Sequence, residues 1–377
     1  MSIRFTQPSL TGRELENIRL AMEKGRLMGN GEFTKRCQEW LEKTLGCRKV
    51  LLTHSCTAAL EMGAILSNAG PGDEVIMPSF TFVSTANAFV LRGVTPVFVD
   101  VDPVNLNIDP KAVAAAVTSK TKAIVPVHYA GVPCRMDEIV KIAEGCKAMV
   151  VEDAAQSLLS TYKGRHAGTF GQLAAISFHE TKNVVSGEGG ALVINDPELM
   201  ERAEIIWEKG TNRSKFFRGQ VDKYTWVDVG SSFLPSELVA AFLSAQLDSS
   251  QELTARRLKL WDRYAEKLKP LFADGTLQAP RIPADVVHNG HIFFVLTKDA
   301  KTTHDLLAYM KEQGVGAVFH YIPLHSAPAG RKYGRTSGSL KNTEELADRL
   351  VRLPLFSDLT PERVDEVVGL VQRFFGR

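Results

Sequence analysis

The chain has 377 residues, of which 44% are hydrophobic and 23% charged, the composition of a globular protein that buries a full core. Lys and Arg (45) nearly balance Asp and Glu (43), and this net charge of +2 argues against nucleic acid as the main partner. The five cysteines are odd in number and lack metal-type pairing, and no uncharged apolar run approaches the roughly 18 residues of a membrane span. We therefore expect a cytoplasmic protein with free thiols, no metal and no membrane insertion.

Helix signals come first along the chain. Residues 11–14 form a capping-box pattern, with Leu15, Ile18 and Met22 at helical spacing behind it. A second helix is predicted over residues 34–45. These segments predict a helical arm ahead of the first strand.

Seven short apolar runs then alternate with helical stretches, at residues 50–52, 74–77, 96–100, 123–127, 148–153, 173–178 and 191–194. In each run the Val, Ile and Leu residues follow one another instead of alternating with polar residues. This pattern predicts strands that are covered on both faces. Alternation of strands and helices is typical of a parallel sheet. The predicted fold class is therefore α/β, with a mostly parallel seven-stranded sheet between helices.

The pattern changes near Ser236, where a long helical stretch begins that runs to about residue 270. Beyond it lie a strand-like segment and three helices, predicted at residues 291–296, 303–313, 343–352 and 360–375. The last helix begins well, because Thr360 is a cap residue and a proline follows it at the first helical position. We predict a large domain over residues 1–250 and a smaller C-terminal α+β domain over residues 251–377.

Asp153 and Lys182 are the most informative pair of residues. Asp153 closes one apolar run, and Lys182 follows the next, just before the glycine cluster at 187–190. Both positions lie where an open α/β sheet presents residues to a ligand, beyond the carboxyl ends of its strands. Pyridoxal 5'-phosphate (PLP) requires such a pair, since an amine forms a Schiff base with its aldehyde and a carboxylate holds a proton on its ring nitrogen. Neither residue is conclusive by itself. The aspartate could simply lie in a solvated turn, and the lysine could lie in an exposed surface loop.

Other residues near these strand ends could hold the same ligand. Residues 53–60 open a helix after the first core strand, so their hydroxyls and free N–H groups make either a phosphate site or an ordinary helix cap. Cys56 has no His or acid partner at motif spacing, and its backbone N–H is the expected contributor. Ser177 is a second candidate phosphate ligand. Phe82 could stack on a flat ring or pack in the core, and Gln156 could bond the phenolic oxygen of the cofactor or lie in solvent.

A basic and aromatic stretch without helical periodicity follows at residues 209–226. A long irregular loop is usually functional, and cations interleaved with aromatic rings suit a nucleotide diphosphate. A solvated surface hairpin is the alternative. The candidate substrate-binding residues in this stretch are Lys209, Arg213, Arg218, Lys223 and Tyr224.

Two further motifs argue against a metal site and against a dinucleotide-binding enzyme. His320 and Tyr321 belong to a predicted substrate-facing loop, in which Pro323 prevents a helical metal pair between His320 and His325. The glycine cluster at 187–190 precedes a strand instead of opening a helix after one, so it is not a dinucleotide fingerprint. An NAD oxidoreductase is therefore disfavoured.

Taken together, these segments resemble the DegT/DnrJ/EryC1/StrS sugar aminotransferases, which are fold-type I PLP enzymes. The resemblance covers essentially the whole chain, and its ordered motifs are at residues 29–31, 55–60, 71–76, 78–82, 127–131, 151–156, 177–182 and 187–190. It implies that Asp153 pairs with the ring nitrogen, that Lys182 forms the Schiff base, that Phe82 stacks on the ring and that Gln156 lies near it. It places the phosphate at Cys56, Thr57 and Ser177, and Ser55 completes the cofactor-binding candidates.

Within the family, Lys182 favours transamination, because some relatives are dehydratases with His at that position. The chain departs from the common pattern at Ser232 and Leu234, where most relatives have Asn and Arg. In those relatives the Asn contacts the cofactor phosphate bound in the partner subunit. With Ser232 in its place, the resemblance does not say whether this chain makes that contact. The family resemblance otherwise implies a homodimer with shared active sites.

Residues 208–226, 230–232 and 319–325 resemble family members of enterobacterial common antigen synthesis that aminate a dTDP-sugar at C4. The resemblance implies dTDP-4-keto-6-deoxy-D-glucose as the acceptor and L-glutamate as the donor. A related nucleotide-sugar aminotransferase with another sugar, position or stereochemistry is the main alternative. A PLP-binding regulator without turnover is a remote one.

Overall fold

Thirteen β-strands are present in the computed structural model, which describes residues 2–377. In chain order they are β1 Lys49–Thr53, β2 Glu74–Pro78, β3 Thr95–Val99, β4 Thr121–Ile124, β5 Met149–Asp153, β6 Thr161–Tyr162, β7 Arg165–His166, β8 Leu173–Ser177, β9 Gly190–Ile194, β10 Val286–Val287, β11 Phe293–Leu296, β12 Arg335–Thr336 and β13 Leu350–Leu353. All seven predicted runs of the sheet are strands, and their bounds agree with the sequence pattern within a few residues.

The main sheet has eight strands in the order β1-β9-β8-β5-β4-β2-β3-β12. It is mostly parallel, as predicted, and β9 alone among the eight is antiparallel to its neighbours β1 and β8. The eighth strand, β12, was not predicted. It has only two residues and pairs with the edge strand β3 from far along the chain, so it has no periodicity to detect. Two small sheets, β10-β6-β7 and β11-β13, complete the set.

Fifteen α-helices surround these sheets within residues 2–377: α1 Glu14–Glu23, α2 Glu32–Leu45, α3 Cys56–Leu66, α4 Val83–Val90, α5 Pro110–Ala116, α6 Met136–Cys146, α7 Met200–Trp207, α8 Arg213–Phe217, α9 Glu237–Asp248, α10 Ser250–Lys267, α11 Lys269–Ala273, α12 Ala300–Glu312, α13 Pro328–Tyr333, α14 Lys341–Arg349 and α15 Pro361–Phe374. Over the same residues, none of these helices is long and apolar enough to cross a membrane.

Three predicted segments differ from the observed elements. The long helix after Ser236 is three helices, because the backbone departs from helical geometry twice, at Ser249 (ψ of 4°) between α9 and α10 and at Leu268 (ψ of −1°) between α10 and α11. The helix predicted at 343–352 ends at Arg349, and the residues after it form β13 because β11 supplies their backbone partners. The stretch 209–226 was predicted to be irregular but contains the five-residue helix α8.

The capping box at the start of α1 forms only in part. The Glu14 carboxylate accepts the backbone N–H of Thr11 at 2.7 Å, whereas no side chain caps the helix in return. The helix packs on α9 through Asn17, whose amide donates to the Ala241 carbonyl at 3.2 Å, and through Ala21, which joins the same apolar cluster as Ala241. Of the three predicted apolar positions, Ile18 is half-buried against this cluster, whereas Leu15 and Met22 are 80% and 60% exposed in the single chain.

Apolar side chains pack on both faces of the main sheet, because successive residues of each strand point to opposite sides. In β8, Ala175 joins the cluster beneath α3, and Ile176 joins the cluster beneath α2 and α9. A separate cluster holds the C-terminal elements together and includes Phe293, Val351 and, from the N-terminal segment, Ile3. This second cluster agrees with a smaller C-terminal unit, and the division after residue 250 stays a prediction.

Glu237, at the start of α9, forms hydrogen bonds that hold the N-terminus of α2 against α9. Its buried carboxylate accepts the backbone N–H groups of Gly31, Phe33 and Thr34 at 3.0, 2.8 and 3.1 Å, and it also accepts the Thr34 hydroxyl. A carboxylate at this position satisfies helix N–H groups that have no intrahelical partner and lies at the positive end of the helix dipole.

Glu237→Gln is expected to destabilise the protein by about 3 kcal/mol, because it turns an acceptor of buried N–H groups into a donor that faces them. Urea unfolding of the variant and the parent measures the loss. Glu39→Gln, at an exposed position of α2, is the matched control and should leave the midpoint unchanged. Equal midpoints for Glu237→Gln and the parent would contradict this account of the contact.

Candidate active site

A cavity of about 480 Å³ opens at the carboxyl ends of the parallel strands. Every predicted cofactor-binding residue lines it, and so do two of the predicted substrate residues. The ten residues are Ser55, Cys56, Thr57, Phe82, Asp153, Gln156, Ser177, Lys182, His320 and Tyr321. Parallel strands end at one edge of a sheet, and this is why residues so distant in the sequence meet here.

Asp153 is the last residue of β5 and its carboxylate is buried. The Thr85 hydroxyl donates to Oδ2 at 2.7 Å, and the backbone N–H of Ala155 donates to Oδ1 at 3.2 Å. These bonds fix the carboxylate toward the cavity but do not neutralise it. Burial therefore raises the pKa of Asp153, although both hydrogen bonds and the nearby Lys182 ammonium oppose that shift.

Lys182 follows β8 in a loop, and its side chain lines the same cavity. No hydrogen bond or ion pair holds its amine among the residues that the structure describes. Burial is the main cause of a lowered pKa for Lys182, and the neighbouring Asp153 carboxylate works in the opposite direction. An amine that is buried and unpaired has a larger neutral, nucleophilic fraction than an exposed lysine.

The N-terminus of α3 forms one wall of the cavity. Ser55 is its N-cap, and the Ser55 hydroxyl accepts the backbone N–H of Ala58 at 3.1 Å. Across residues 2–377, the N–H groups of Cys56 and Thr57 meet no acceptor, so they are available to an anion at the positive end of the helix. Burial raises the pKa of the Cys56 thiol well above its usual range, which fits the expectation that its backbone and not its sulfur takes part.

Gly190 brings this helix end close to the neighbouring strand. It pairs in register with Thr53 of β1 on one side and with Ser177 of β8 on the other. A Cβ at this position would lie 2.4 Å from the backbone N of Cys56, so only glycine permits the approach. The two predicted phosphate segments, Ser55–Thr57 and Ser177, are thereby placed on either side of one glycine. The glycine cluster thus has a packing role that its sequence pattern did not specify.

An aromatic group of side chains covers another side of the cavity. Phe82 caps α4 and is 58% exposed, and its ring centroid lies 6.5 Å from that of Tyr321. Gln156 is held in place, because its Oε1 accepts the N–H of Ala130 at 2.7 Å and its Nε2 donates to the Tyr321 hydroxyl at 3.0 Å. An exposed ring face beside a fixed amide matches the two roles predicted for Phe82 and Gln156, and those roles stay predictions.

Five predicted substrate residues lie outside this cavity: Lys209, Arg213, Arg218, Lys223 and Tyr224. The Arg213 guanidinium lies 5.0 Å from the ring centroid of Phe217, and Arg218 forms an ion pair with Glu204 at 2.8 Å. The chain therefore does not bring this loop to its own Lys182. Its substrate role stays a prediction that requires another copy of the chain.

Sequence reasoning missed several residues that line the cavity, among them Phe5, Thr85, His291 and Arg352. Thr85 could have been considered, since it lies only four residues after Thr81 in the segment that follows β2. In the structure the two hydroxyls are 2.8 Å apart. Phe5 and Arg352 come from opposite ends of the chain and belong to no motif. Only the folded arrangement places them at the site.

These residues fit PLP. The free N–H groups of Cys56 and Thr57 suit its phosphate, the Asp153 carboxylate suits a protonated ring nitrogen, and the Lys182 amine suits its aldehyde. A cationic ring would also supply the counter-charge that the buried Asp153 lacks. The exposed face of Phe82 leaves room for a flat heterocycle.

Comparisons with known proteins agree with the fold and with the cofactor that the cavity fits. The sequence model described as the DegT/DnrJ/EryC1/StrS aminotransferase family matches residues 8–372. The spore coat polysaccharide biosynthesis protein SpsC of Bacillus subtilis is 31% identical, over 98% of this chain and 96% of that protein. The structure of the aminotransferase TlmJ from Streptoalloteichus hindustanus has a TM-score of 0.91 and 33% identity, and the match covers 99% of both chains.

Spr1654 from Streptococcus pneumoniae, solved in PLP and PMP forms, has a TM-score of 0.91 and 25% identity, with 99% of this chain and 98% of that chain covered. These likenesses extend over the whole fold, and the cofactor forms match the one that the cavity fits. The chain therefore belongs to the DegT/DnrJ/EryC1/StrS aminotransferase family and is a sugar aminotransferase with PLP as its cofactor.

Proposed function

We propose that the protein moves the amino group of L-glutamate to the C4 keto carbon of dTDP-4-keto-6-deoxy-D-glucose. The products are dTDP-4-amino-4,6-dideoxy-D-galactose and 2-oxoglutarate. One observation carries the proposal of amino transfer: the unpaired amine of Lys182 and the buried carboxylate of Asp153 line the same cavity. The choice of donor and acceptor rests on the resemblance of residues 208–226, 230–232 and 319–325 to family members that aminate this sugar.

PLP, when bound, supplies a ring that stabilises negative charge at the donor α-carbon. Asp153 keeps a proton on the ring nitrogen, and its own position is set by Thr85 and the Ala155 N–H. Lys182 takes the proton from the donor α-carbon and later gives a proton to C4 of the sugar. Burial lowers the pKa of Lys182, which favours the neutral amine that this step needs. Because donor and acceptor react in turn, the kinetics should be ping-pong.

We propose a homodimer in which the loop of residues 209–226 reaches the active site of the partner subunit. In the single chain this loop exposes large apolar groups, and Trp226 is 78% exposed. Phe82, at the cavity itself, is more than half exposed as well. A second copy covering both would bury these surfaces and bring the cations of the loop toward a bound dTDP group.

We place the reaction in the cytoplasm. All five cysteines are free thiols in the structure, the state that a reducing compartment maintains. The proposed reaction requires L-glutamate and the nucleotide-sugar acceptor in the same compartment.

Arg213→Gln is expected to raise KM for the dTDP-sugar about tenfold, because it removes a charge-assisted contact to phosphate. The glutamate half-reaction should keep its rate, and stopped-flow absorbance measures it separately. Arg213 is a better target than Arg218, since changing Arg218 would also break its ion pair with Glu204, a buried carboxylate that pairs with Lys49 as well. Lys215→Gln removes a charge of the same helix that already pairs with Glu201, and it serves as the control. Equal losses in both half-reactions would count against a substrate role for this loop.

Product identification tests the proposed reaction as a whole. The purified protein is incubated with L-glutamate and dTDP-4-keto-6-deoxy-D-glucose, and the product is analysed by NMR. We expect nitrogen on C4 in the galacto configuration and one 2-oxoglutarate per amino sugar. Nitrogen at another carbon or a dehydrated sugar would point to a related enzyme of the family, and an absence of turnover would point to a PLP-binding regulator.

A further inference from the structure

His291 is a buried imidazole at the cavity with one ring nitrogen free. It stands two residues before β11, is 5% exposed and lines the same cavity as Lys182. Its Nδ1 atom lies 2.9 Å from Oδ1 of Asn183. Its Nε2 atom meets no hydrogen-bond partner within residues 2–377. Polar atoms of buried side chains are normally paired, so a free one beside a cavity indicates a contact that forms only during function.

The proton on this ring is fixed at Nδ1. The Asn183 amide nitrogen donates to the Asn289 carbonyl at 2.9 Å, so the oxygen of the same amide faces the ring and can only accept. Nδ1 therefore carries the proton, and Nε2 carries a lone pair. The segment is firmly held, because the Asn289 side chain donates to the carbonyls of Gln156 and Leu158, both at 2.9 Å. His291 thus offers the cavity a fixed acceptor.

The ring stays neutral, because the charged groups that act on it are cations. These groups are Lys182, Arg257 and Arg352. Burial is the main cause of a pKa for His291 well below its usual range, and the three cations and the nearby His320 ring lower it further. A neutral ring with so low a pKa accepts a hydrogen bond without taking the proton from a more basic amine.

Lys182 needs such an acceptor whenever its amine carries a proton. The amine has no partner in the described structure, and a buried ammonium without an acceptor is costly. The Asp153 carboxylate is assigned to the ring nitrogen of bound PLP, and the Glu188 carboxylate, which also lines the cavity, is exposed. Burial keeps the Cys56 thiol neutral by raising its pKa. The free Nε2 atom of His291 supplies a buried acceptor.

The ring and the lysine are tied to one loop. Asn183 directly follows Lys182 in the chain, so the bond between Asn183 and His291 fixes the ring relative to the lysine backbone. Arg257 is committed elsewhere, since it donates to the carbonyls of Gly290 and His291. The lysine side chain is long and unpaired, and its ammonium can therefore turn to Nε2.

We propose that Nε2 of His291 accepts a hydrogen bond from the Lys182 ammonium, which makes His291 a positioning residue for proton transfer. The lysine amine takes a proton from the donor α-carbon and becomes an ammonium, which the ring holds through an N–H···N bond. The ammonium later releases a proton and is neutral again. No proton passes to the ring, because the imidazole is far less basic than the amine. This assignment rests on the proposed function, in which Lys182 carries the proton.

Chemical labelling of Lys182 tests the contact without turnover. The protein is loaded with pyridoxamine 5'-phosphate, which leaves the lysine amine free and requires no glutamate. It is labelled with a trace of acetic anhydride across a pH series, and peptide mass spectrometry compares Lys182 with the exposed Lys122 of the same sample. Only a neutral amine reacts, so the midpoint of the labelling curve reports the pKa of Lys182.

Two substitutions separate the two nitrogens of the ring. His291→Asn keeps a donor for Asn183 near the Nδ1 position but loses the acceptor in the cavity. We expect its labelling midpoint to fall by about one pH unit, because an ammonium that loses a hydrogen bond is less stable. His291→Gln keeps an acceptor near the Nε2 position and should have a midpoint close to that of the parent. His304→Gln, at an exposed position of α12, is the control and should leave the midpoint unchanged.

The pH profile of the glutamate half-reaction provides a second measurement. Proton removal needs the neutral amine, so a lower pKa of Lys182 should move the acidic limb of the profile to lower pH by the same amount in His291→Asn. Asn183→Leu keeps His291 itself but frees the ring proton to move to Nε2, and its labelling midpoint should fall as well. This variant decides the matter if the His291 variants fail to fold, as judged by thermal unfolding.

An unchanged midpoint in folded His291→Asn would overturn the assignment and leave the lone pair to another donor, such as Arg352 or a hydroxyl of the sugar. A fall in His291→Gln without one in His291→Asn would overturn it too, because the ring would then act only through Asn183. The expected shift in a protein that converts no glutamate would contradict the proposed function and leave the contact between His291 and Lys182 standing.

Discussion

Lys182→Ala is expected to abolish amino transfer and to remove the visible absorbance of covalently bound PLP. The structure places no other lysine of residues 2–377 along the cavity, so nothing can replace this amine as nucleophile or base. Loss of both roles should lower the single-turnover rate with L-glutamate by at least about 10⁴-fold. Absorbance spectroscopy of the purified variant, followed by rapid mixing with glutamate, measures both effects.

Lys122→Ala is the control for this result, since Lys122 is exposed on β4. It should keep the absorbance and the rate of the parent. Added small primary amines should restore part of the proton transfer in Lys182→Ala, because the missing group is an amine and the cavity is open to small molecules. A Lys182→Ala variant that still transaminates at a near-normal rate without added amine would contradict the assignment.

Asp153→Asn is expected to retain covalently bound cofactor but to slow proton removal from glutamate by about 10²- to 10³-fold, the typical effect of removing one electrostatic contact from a reacting site. The amide cannot hold a proton on the ring nitrogen as a carboxylate does, and the ring then stabilises less negative charge at the α-carbon. Single-turnover rates with glutamate deuterated at the α-carbon show whether this step has become slower.

Thr85→Val offers a graded comparison. It removes the hydrogen bond to Oδ2 but keeps the Asp153 charge, so its rate should lie between those of the parent and Asp153→Asn. A rate close to that of the parent in Asp153→Asn would remove this carboxylate from the mechanism.

The sheet and much of the cavity could be predicted because their signals are local. Buried parallel strands are continuous apolar runs, and functional residues such as Asp153 and Lys182 stand directly after them. The family resemblance then linked these positions to one cofactor, and the structure places them around one cavity. Which of them contact the cofactor stays a prediction.

Other features depend on contacts between distant segments and left no local signal. Arg352 lies where a helix was predicted, and it reaches the cavity only because β13 pairs with β11. Phe5 reaches it because the N-terminal segment runs beside Val315. In α1, helical spacing indicated Leu15, Ile18 and Met22 as the buried face, but Asn17 and Ala21 face α9, and Leu15 and Met22 are exposed.

The most direct test of the account is to locate the cofactor bond. The PLP-loaded protein is reduced with borohydride, digested and analysed by peptide mass spectrometry. We predict a single pyridoxyl-modified peptide with the added mass on Lys182, and none when the protein is first converted with excess L-glutamate. An adduct on another lysine, or no adduct in a protein that binds PLP, would contradict the assignment of this cavity as the site of amino transfer.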